Sequence, residues 1–143
     1  MSDFTGLYDI RDYKPEDHNF ILATFLRGLY YGDFFFDSMP KDIFMANYKM
    51  VAEGLINKSV IKVACLKEDP DTILGYSILS PNYQILHFVY VKNGKFPDGS
   101  SWRRKAIGRS LTPVNLSHVT HLTKLGQMLL PKLNCVFNPF QLL

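Results

Sequence analysis

Three runs rich in β-branched and aromatic residues, "VIKVACLK" (60–67), "TILGYSILS" (72–80) and "QILHFVYVK" (84–92), follow one another with only short polar links between them. Parallel neighbours would need a crossover of about a dozen residues or more, which neither "EDPD" nor "SPNY" can supply. Both links carry the turn residues Asp, Pro, Ser and Asn instead. The three runs therefore read as an antiparallel meander, and the rest of the chain must pack around it.

The flanks read as follows. "LYDIRDY" (7–13) alternates apolar and polar residues and predicts a first strand. Pro15, Glu16 and Asp17 open a helix, because proline suits a first helical turn and acids suit the positive end of the dipole. Leu22, Phe25, Leu26 and Leu29 form its apolar stripe, and Gly32 ends it. "SMPKD" starts a second helix with Ser38 as its cap and Phe44, Tyr48, Val51 and Leu55 on one face. Beyond the meander come the loop "NGKFPDGSS" and the basic stretch "WRRKAIGRSL", which reads as a helix start. Pro113 kinks or ends that helix. "NLSHVTHLTKLGQMLL" (115–130) reads as a further helix, and "NCVFNPFQLL" as a strand and tail. The order β-α-α-β-β-β-α-(α)-β predicts a single α+β domain over residues 1–143, a mixed central sheet with helices on both faces.

The chain has 143 residues, 47% of them hydrophobic and 14% aromatic, which fits one folded domain and not a disordered chain. Its apolar runs are too short to span a bilayer. "MSDFTGLYDI" has no basic segment ahead of an apolar one, so the expected location is the cytoplasm. Cys65 and Cys135 lack CxxC spacing and read as buried thiols in a reducing compartment. Charge is unevenly placed. Residues 1–71 hold 8 Lys/Arg and 12 Asp/Glu, whereas residues 72–143 hold 8 Lys/Arg and the single acid Asp98, a net charge of +7. Arg103, Arg104, Lys105 and Arg109 concentrate half of those cations in one short stretch. A helix N-terminus behind a strand offers unpaired N–H groups, and the small residues Ala106 and Gly108 allow close approach to them. With the cations added, the turn reads as a cradle for a pyrophosphate.

At this point the sequence resembles the GNAT superfamily of N-acetyltransferases. "ILHFVYV" followed by "WRRKAIGRSL" resembles the family's fourth strand and its Arg/Gln-x-x-Gly-x-Gly/Ala signature. Arg103 falls on the first position, Ala106 on the fourth and Gly108 on the sixth, with Ile107 between them. "ILGYSIL" resembles the third strand, and "IRDYKPEDHNFILATFL" the first strand and helix, so the resemblance spans roughly residues 7–111. It implies a GNAT-like sheet, acetyl-CoA as cofactor and an amine of a small molecule or protein as acceptor. The cofactor would be held by the backbone of Val89, Tyr90 and Val91 and by Arg103, Arg104, Lys105, Ala106, Ile107, Gly108 and Arg109. An N–H of Val89 or Tyr90 would polarise the thioester carbonyl. Position 106 departs from the family in being Ala, and the loop 93–101 is longer than usual. Residues 112–143 lack the family's Asn-x-x-Ala-x-x-x-Tyr segment, so the domain reads as C-terminally shortened. In this it is similar to small acetyltransferase-like proteins encoded by bacteriophages, which would place it in a host cytoplasm.

His87 is the candidate catalytic base, since strand alternation puts it on the face of Val89 and Val91 and its intrinsic pKa suits proton removal near neutrality. No general acid stands out among Tyr30, Tyr31, Tyr83, Tyr90 and Cys135. His118 and His121 have metal-compatible helical spacing but no third ligand in reach, so no metal site is expected. The link "YYGDFFFDSMP" (30–40) would border the acceptor, with Tyr31, Asp33 and Phe35 as substrate-binding residues and Asp37 adding negative charge. Alternatively its aromatics grip another protein, and the chain is a catalytically weak GNAT-like binding module. The basic cluster has no aromatic-rich sheet face or recognition helix beside it, which argues against nucleic acid.

Overall fold

The computed structural model describes residues 7–32, 36, 38–95, 99, 101, 107–113, 116–121 and 135–139. The strands are β1 (Tyr8–Asp12), β2 (Val60–Leu66), β3 (Ile73–Leu79), β4 (Ile85–Val91), β5 (His118–Val119) and β6 (Val136–Phe137). The helices are α1 (His18–Gly32), α2 (Lys41–Lys58) and α3 (Ile107–Leu111), with a 3-10 turn at Pro15–Asp17 ahead of α1. The sheet order is β1-β2-β3-β4-β5-β6. β1 to β4 run antiparallel, which the short links require for β2, β3 and β4, whereas β4, β5 and β6 are mutually parallel. The fold is thus α+β around a mixed sheet. No helix among the described residues is long and apolar enough to cross a membrane.

Helices α1 and α2 cover one face of the sheet. Ile21, Phe25 and Leu29 of α1 and Phe44 and Leu55 of α2 pack with Val63, Tyr76, Ile78 and Phe88. Helix α3 covers the other face, where Ile107 and Leu111 meet Tyr8, Ala64 and Leu74. The expected stripe of α1 is buried as read, but that of α2 is shifted. Ala52 and Ile56 are buried beside Phe44 and Leu55, while Val51 is exposed. No side chain caps α2; its first turn is closed by the Phe44 N–H donating to the Pro40 carbonyl at 3.1 Å, in place of the expected Ser38 cap. The expected helix over 115–130 is also corrected. Within it, His118–Val119 is a strand, and residues 122–130 lie outside the described residues.

Two ties fix α1 on the sheet. Arg11 of β1 donates twice to Asp17, at 2.8 and 2.9 Å, and the Lys14 N–H donates to the same carboxylate at 2.8 Å. Burial acts to raise the Asp17 pKa, but the Arg11 and Lys14 bonds outweigh it and hold the carboxyl below its usual range. Further along, the buried Tyr76 phenol reaches the Ile21 carbonyl at 3.2 Å and the Thr24 hydroxyl at 2.7 Å.

The β2–β3 ladder skips a residue. Ala64 pairs with Gly75 and Cys65 with Ile73, leaving Leu74 as the extra residue of a β-bulge. The bulge turns Leu74 toward α3 and Ile73 toward α1 and α2, which plain alternation could not do. Gly75 stands at the bend. A Cβ there would lie 2.4 Å from the Tyr90 carbonyl oxygen, a main-chain atom held in the ladder. Gly75→Ala is therefore expected to cost about 3 kcal/mol by forcing β3 from β4. An unchanged urea midpoint would show that the two strands can part freely here.

Candidate functional site at the fork of β4 and β5

The main-chain edge of β4 can be read from one bond. Lys92 N–H donates to the Leu74 carbonyl at 2.7 Å, so Tyr90 and Phe88, at alternate positions, exchange bonds with Tyr76 and Ile78. Val89 and Val91 then direct their amide edges away from β3, toward β5. Yet β5 pairs only with Ile85 and Leu86, and Thr120 N–H adds a last rung to the Leu86 carbonyl at 3.1 Å. Among the described residues, β4 runs on past the end of β5. The two strands form a fork, and the edge of Val89 faces its opening.

A second bulge sits at the base of that fork. Ile78 pairs with Phe88 and Leu79 with Leu86, so His87 is the extra residue. Leu86 and Val89 accordingly belong to one apolar cluster with Leu79, Leu116 and Val119, three positions apart along the strand. Alternation fails between them. His87 is carried with Phe88 to the α1–α2 side, where the charge of Lys58 reaches it, and away from the face of Val89 and Val91. It is only 4% exposed. Burial, followed by the Lys58 charge, lowers its pKa to about 4. The expectation of His87 as an accessible base on the cofactor face is therefore overturned by the bulge.

What the bulge assembles is a polar chain. His121 Nδ1 lies 3.0 Å from the His87 carbonyl oxygen, and a carbonyl only accepts, so this nitrogen carries the proton. Nε2 is left as the acceptor, and the Tyr48 hydroxyl of α2 donates to it. The Thr120 hydroxyl sits between the rings, 2.8 Å from His87 Nδ1 and 3.0 Å from His121 Nδ1. The His121 imidazole is clamped edge-on by Phe25 at 5.5 Å and Tyr48 at 5.9 Å between centroids. Burial, then the neighbouring His87, brings its pKa to about 4 against the opposing effect of the carbonyl bond. At neutral pH both rings are uncharged. The sequence reading passed over Tyr48 and Thr120 and set His121 on a helix. Within "SHVTH" (117–121) only Val119 is apolar, and Leu116, Val119 and Leu122 recur every third residue, so the local pattern carries a helical signal and none for a strand.

The other expected site residues are distributed as follows. Val89, Tyr90 and Val91 lie on β4, half-buried, with the Tyr90 ring turned toward Phe20 and Tyr76. Ile107 is buried in α3, Gly108 lies beside Val91, and Arg109 is exposed. Arg103, Arg104, Lys105 and Ala106, and Asp33, Phe35 and Asp37 of the 30–40 link, lie outside the described residues. Tyr31 is 54% exposed, and Lys41 Nζ stands 5.4 Å from the centre of its ring. Cys135 packs against the Leu79–Val119 cluster, and burial raises its thiol pKa. A groove lined by Ile10, Lys62, Leu79, Tyr83 and Leu111 lies on the α3 side, across the sheet from the polar chain.

The neutral histidines make stability depend on pH with a definite sign. Unfolded, each has a pKa of about 6.5; folded, about 4 for both. Below pH ~6.5 the unfolded chain takes up protons that the fold refuses, so stability is constant above that value and falls toward pH ~4. Each ring can withdraw up to about 3 kcal/mol. Urea unfolding at pH 7.5 and pH 5.0 isolates the effect, because carboxylates such as Asp17 remain ionised across that window. A flat profile would mean that the rings are charged in the folded state.

No family model and no curated protein matches the chain. Among solved structures, it is similar to YjaB from Escherichia coli in its apo form (19% identity, TM-score 0.47, covering 73% of this chain and 60% of that one). It is also similar to a GCN5-related N-acetyltransferase from Rhodopseudomonas palustris (18%, TM-score 0.44, covering 72% and 59%). A third is a possible acetyltransferase from Clostridium difficile 630 (15%, TM-score 0.44, covering 79% and 77%). The chain thus spans about 60% of the length of the first two.

Proposed function

We propose that this chain is a GNAT-type N-acetyltransferase that transfers an acetyl group from acetyl-CoA to an amine. The carrying observation is the fork, where β4 continues beyond β5 with the amide edge of Val89 facing the opening. Such an edge suits an extended arm that itself bears amides, which it can bind as a missing strand would be bound.

Gly108 supports the same reading. A Cβ there would stand 3.5 Å from a Val91 methyl, an ordinary contact, so the packing of α3 does not demand glycine. Close approach of a ligand to the helix backbone is a reason to keep glycine there. The amides of Ala106, Ile107 and Gly108 would hold the phosphates, with Arg103, Arg104, Lys105 and Arg109 supplying positive charge. Acetyl-CoA, when bound, supplies the acetyl thioester. Val89 N–H is the favoured donor to its carbonyl, because the Tyr90 N–H is turned to β3 by the alternation along β4. His87 is not assigned the role of base. Tyr31, Asp33 and Phe35 remain the acceptor side of the proposal.

A second reading has one observation in its favour. Tyr31, Ile43 and Met50, on α1 and α2, are 54%, 50% and 82% exposed. Exposed apolar side chains on these two helices suit capture of another protein. On this reading Met50→Asp would abolish capture of a partner from cell extract while leaving CoA binding intact.

The acetyltransferase reading is tested by adding CoA or acetyl-CoA. Either should raise the melting temperature, since the cradle exists only in the folded chain. Gly108→Glu should remove the shift by setting bulk and negative charge against the phosphates. No shift at millimolar CoA would end the reading, and a Gly108→Glu protein that folds and still shifts would displace the site.

A further inference from the structure

We propose that His121, oriented by Tyr48, is the positioning residue that ends the β4–β5 ladder and sets the aim of the β4 backbone into the fork. The link to ligand binding rests on the acetyltransferase reading; the structural half does not.

Gln84 and Leu86 offer their carbonyls to β5, where Ser117 N–H donates to the first at 2.7 Å and Thr120 N–H to the second at 3.1 Å. The bulge then presents the His87 carbonyl, and among the described residues what meets it is an imidazole Nδ1–H at 3.0 Å. Paired strands lie about 4.8 Å apart. A rung closed through the His121 imidazole, whose ring also meets Phe25 and Tyr48 on the helix-covered face, does not hold the two main chains to that spacing, and the strands are free to diverge there. The ring is a wedge at the crotch of the fork.

A wedge works only if it presents the right nitrogen. An imidazole protonated at Nε2 would turn a lone pair toward the His87 carbonyl, and the contact would become repulsive. The His87 carbonyl, which only accepts, selects the Nδ1–H tautomer, and the Tyr48 hydroxyl of α2 then donates to the Nε2 left as acceptor and anchors the far end of the ring. Phe25 and Tyr48 hold the ring plane, and the near-parallel stack of Tyr48 on Phe44, 8° between planes, holds Tyr48 in turn. The groups facing the ring are thus His87 and Thr120 from the sheet, Tyr48 from α2 and Phe25 from α1, with the charge of Lys58 reaching His87. With the His87 carbonyl pinned, the next peptides of β4 are fixed in orientation, and the Val89 edge with them.

Three measurements test this. In long-range 1H–15N spectra, His121 should be the Nδ1–H tautomer in the wild type; the Nε2–H form overturns the proposal outright. Hydrogen exchange without ligand comes second. His121→Ala should speed exchange of the Thr120 amide at least about 30-fold relative to amides of β2 and β3, whereas H121N, which retains a donor where Nδ1 stood, should stay within about threefold of wild type. Equal acceleration of all amides in His121→Ala, or equal effects of the two variants, overturns the positioning role. If His121→Ala does not fold, Tyr48→Phe replaces it, with faster exchange of the Thr120 amide than of β2 and β3 amides expected as the ring loses its anchor, and an unchanged rate counting against the proposal. Third, CoA affinity by calorimetry should fall at least about tenfold in His121→Ala and recover to within about threefold in H121N. Wild type that binds no CoA defeats the acetyltransferase reading, leaving the tautomer and exchange results to decide the wedge. Wild type that binds CoA, with His121→Ala binding equally well, defeats the link from wedge to binding and leaves the acetyltransferase reading standing.

Discussion

Because Leu79 pairs with Leu86 while Ile78 pairs with Phe88, β4 carries one residue more than β3 can match, and that residue is His87. Its side chain leaves the face that alternation would give it. Its carbonyl turns outward, where a neighbouring strand should be. Both consequences reach the site. The imidazole is lost as an accessible base, and the carbonyl becomes the point at which β5 stops following β4. A ladder without the bulge would have zipped further along, covering the Val89 edge that the proposed cofactor needs.

The bulge alone would be a defect in the sheet. It becomes a defined geometry because two helices deliver side chains to it from the covered face. Phe25 comes from an α1 that is fixed by the Arg11–Asp17 pair at its entry and the Tyr76 phenol midway. Tyr48 comes from an α2 whose position is set by Phe44 and Leu55 in the core. The helix layer therefore has two tasks: it buries the sheet, and it holds one imidazole in one orientation.

The meander, α1 and the α+β class were legible because each rests on local chemistry. Turn residues in "EDPD" and "SPNY" force antiparallel neighbours, and Leu22, Phe25, Leu26 and Leu29 repeat at helical spacing. What escaped depends on register. Neither bulge has a sequence mark that alternation can show; Gly75 hints at the first, and nothing in "ILHFVYV" betrays the second. The face of His87 was therefore misread. His118 and His121 were set on a helix because a strand of two residues leaves almost no periodic trace, and its pairing comes from β4 and β6, remote in sequence. Val51 shares a face with Phe44, Tyr48 and Leu55 by helical spacing, yet the buried face of α2 is turned toward Ala52 and Ile56, and spacing alone does not say where its centre lies.

The fork is also where the interior is most polar, and the manner of its burial bears on why the arrangement holds. Two imidazoles, a threonine hydroxyl and a phenol lie together under aromatic rings, a combination that is costly if any donor or acceptor is left over. Here the carbonyl takes Nδ1–H, Nε2 takes the phenol proton, and Thr120 bridges the rings. Ser77, fully buried on the neighbouring strand with its hydroxyl unpaired among the described residues, shows that this fold tolerates a stray polar atom where nothing depends on it. The string at the fork is different in kind. Its bonds among the His87 carbonyl and Nδ1, Thr120, His121 and Tyr48 form together in this register. A slip of β4 by one residue would strand several polar groups at once, and that penalty, more than any gain from the bonds themselves, keeps the bulge at His87.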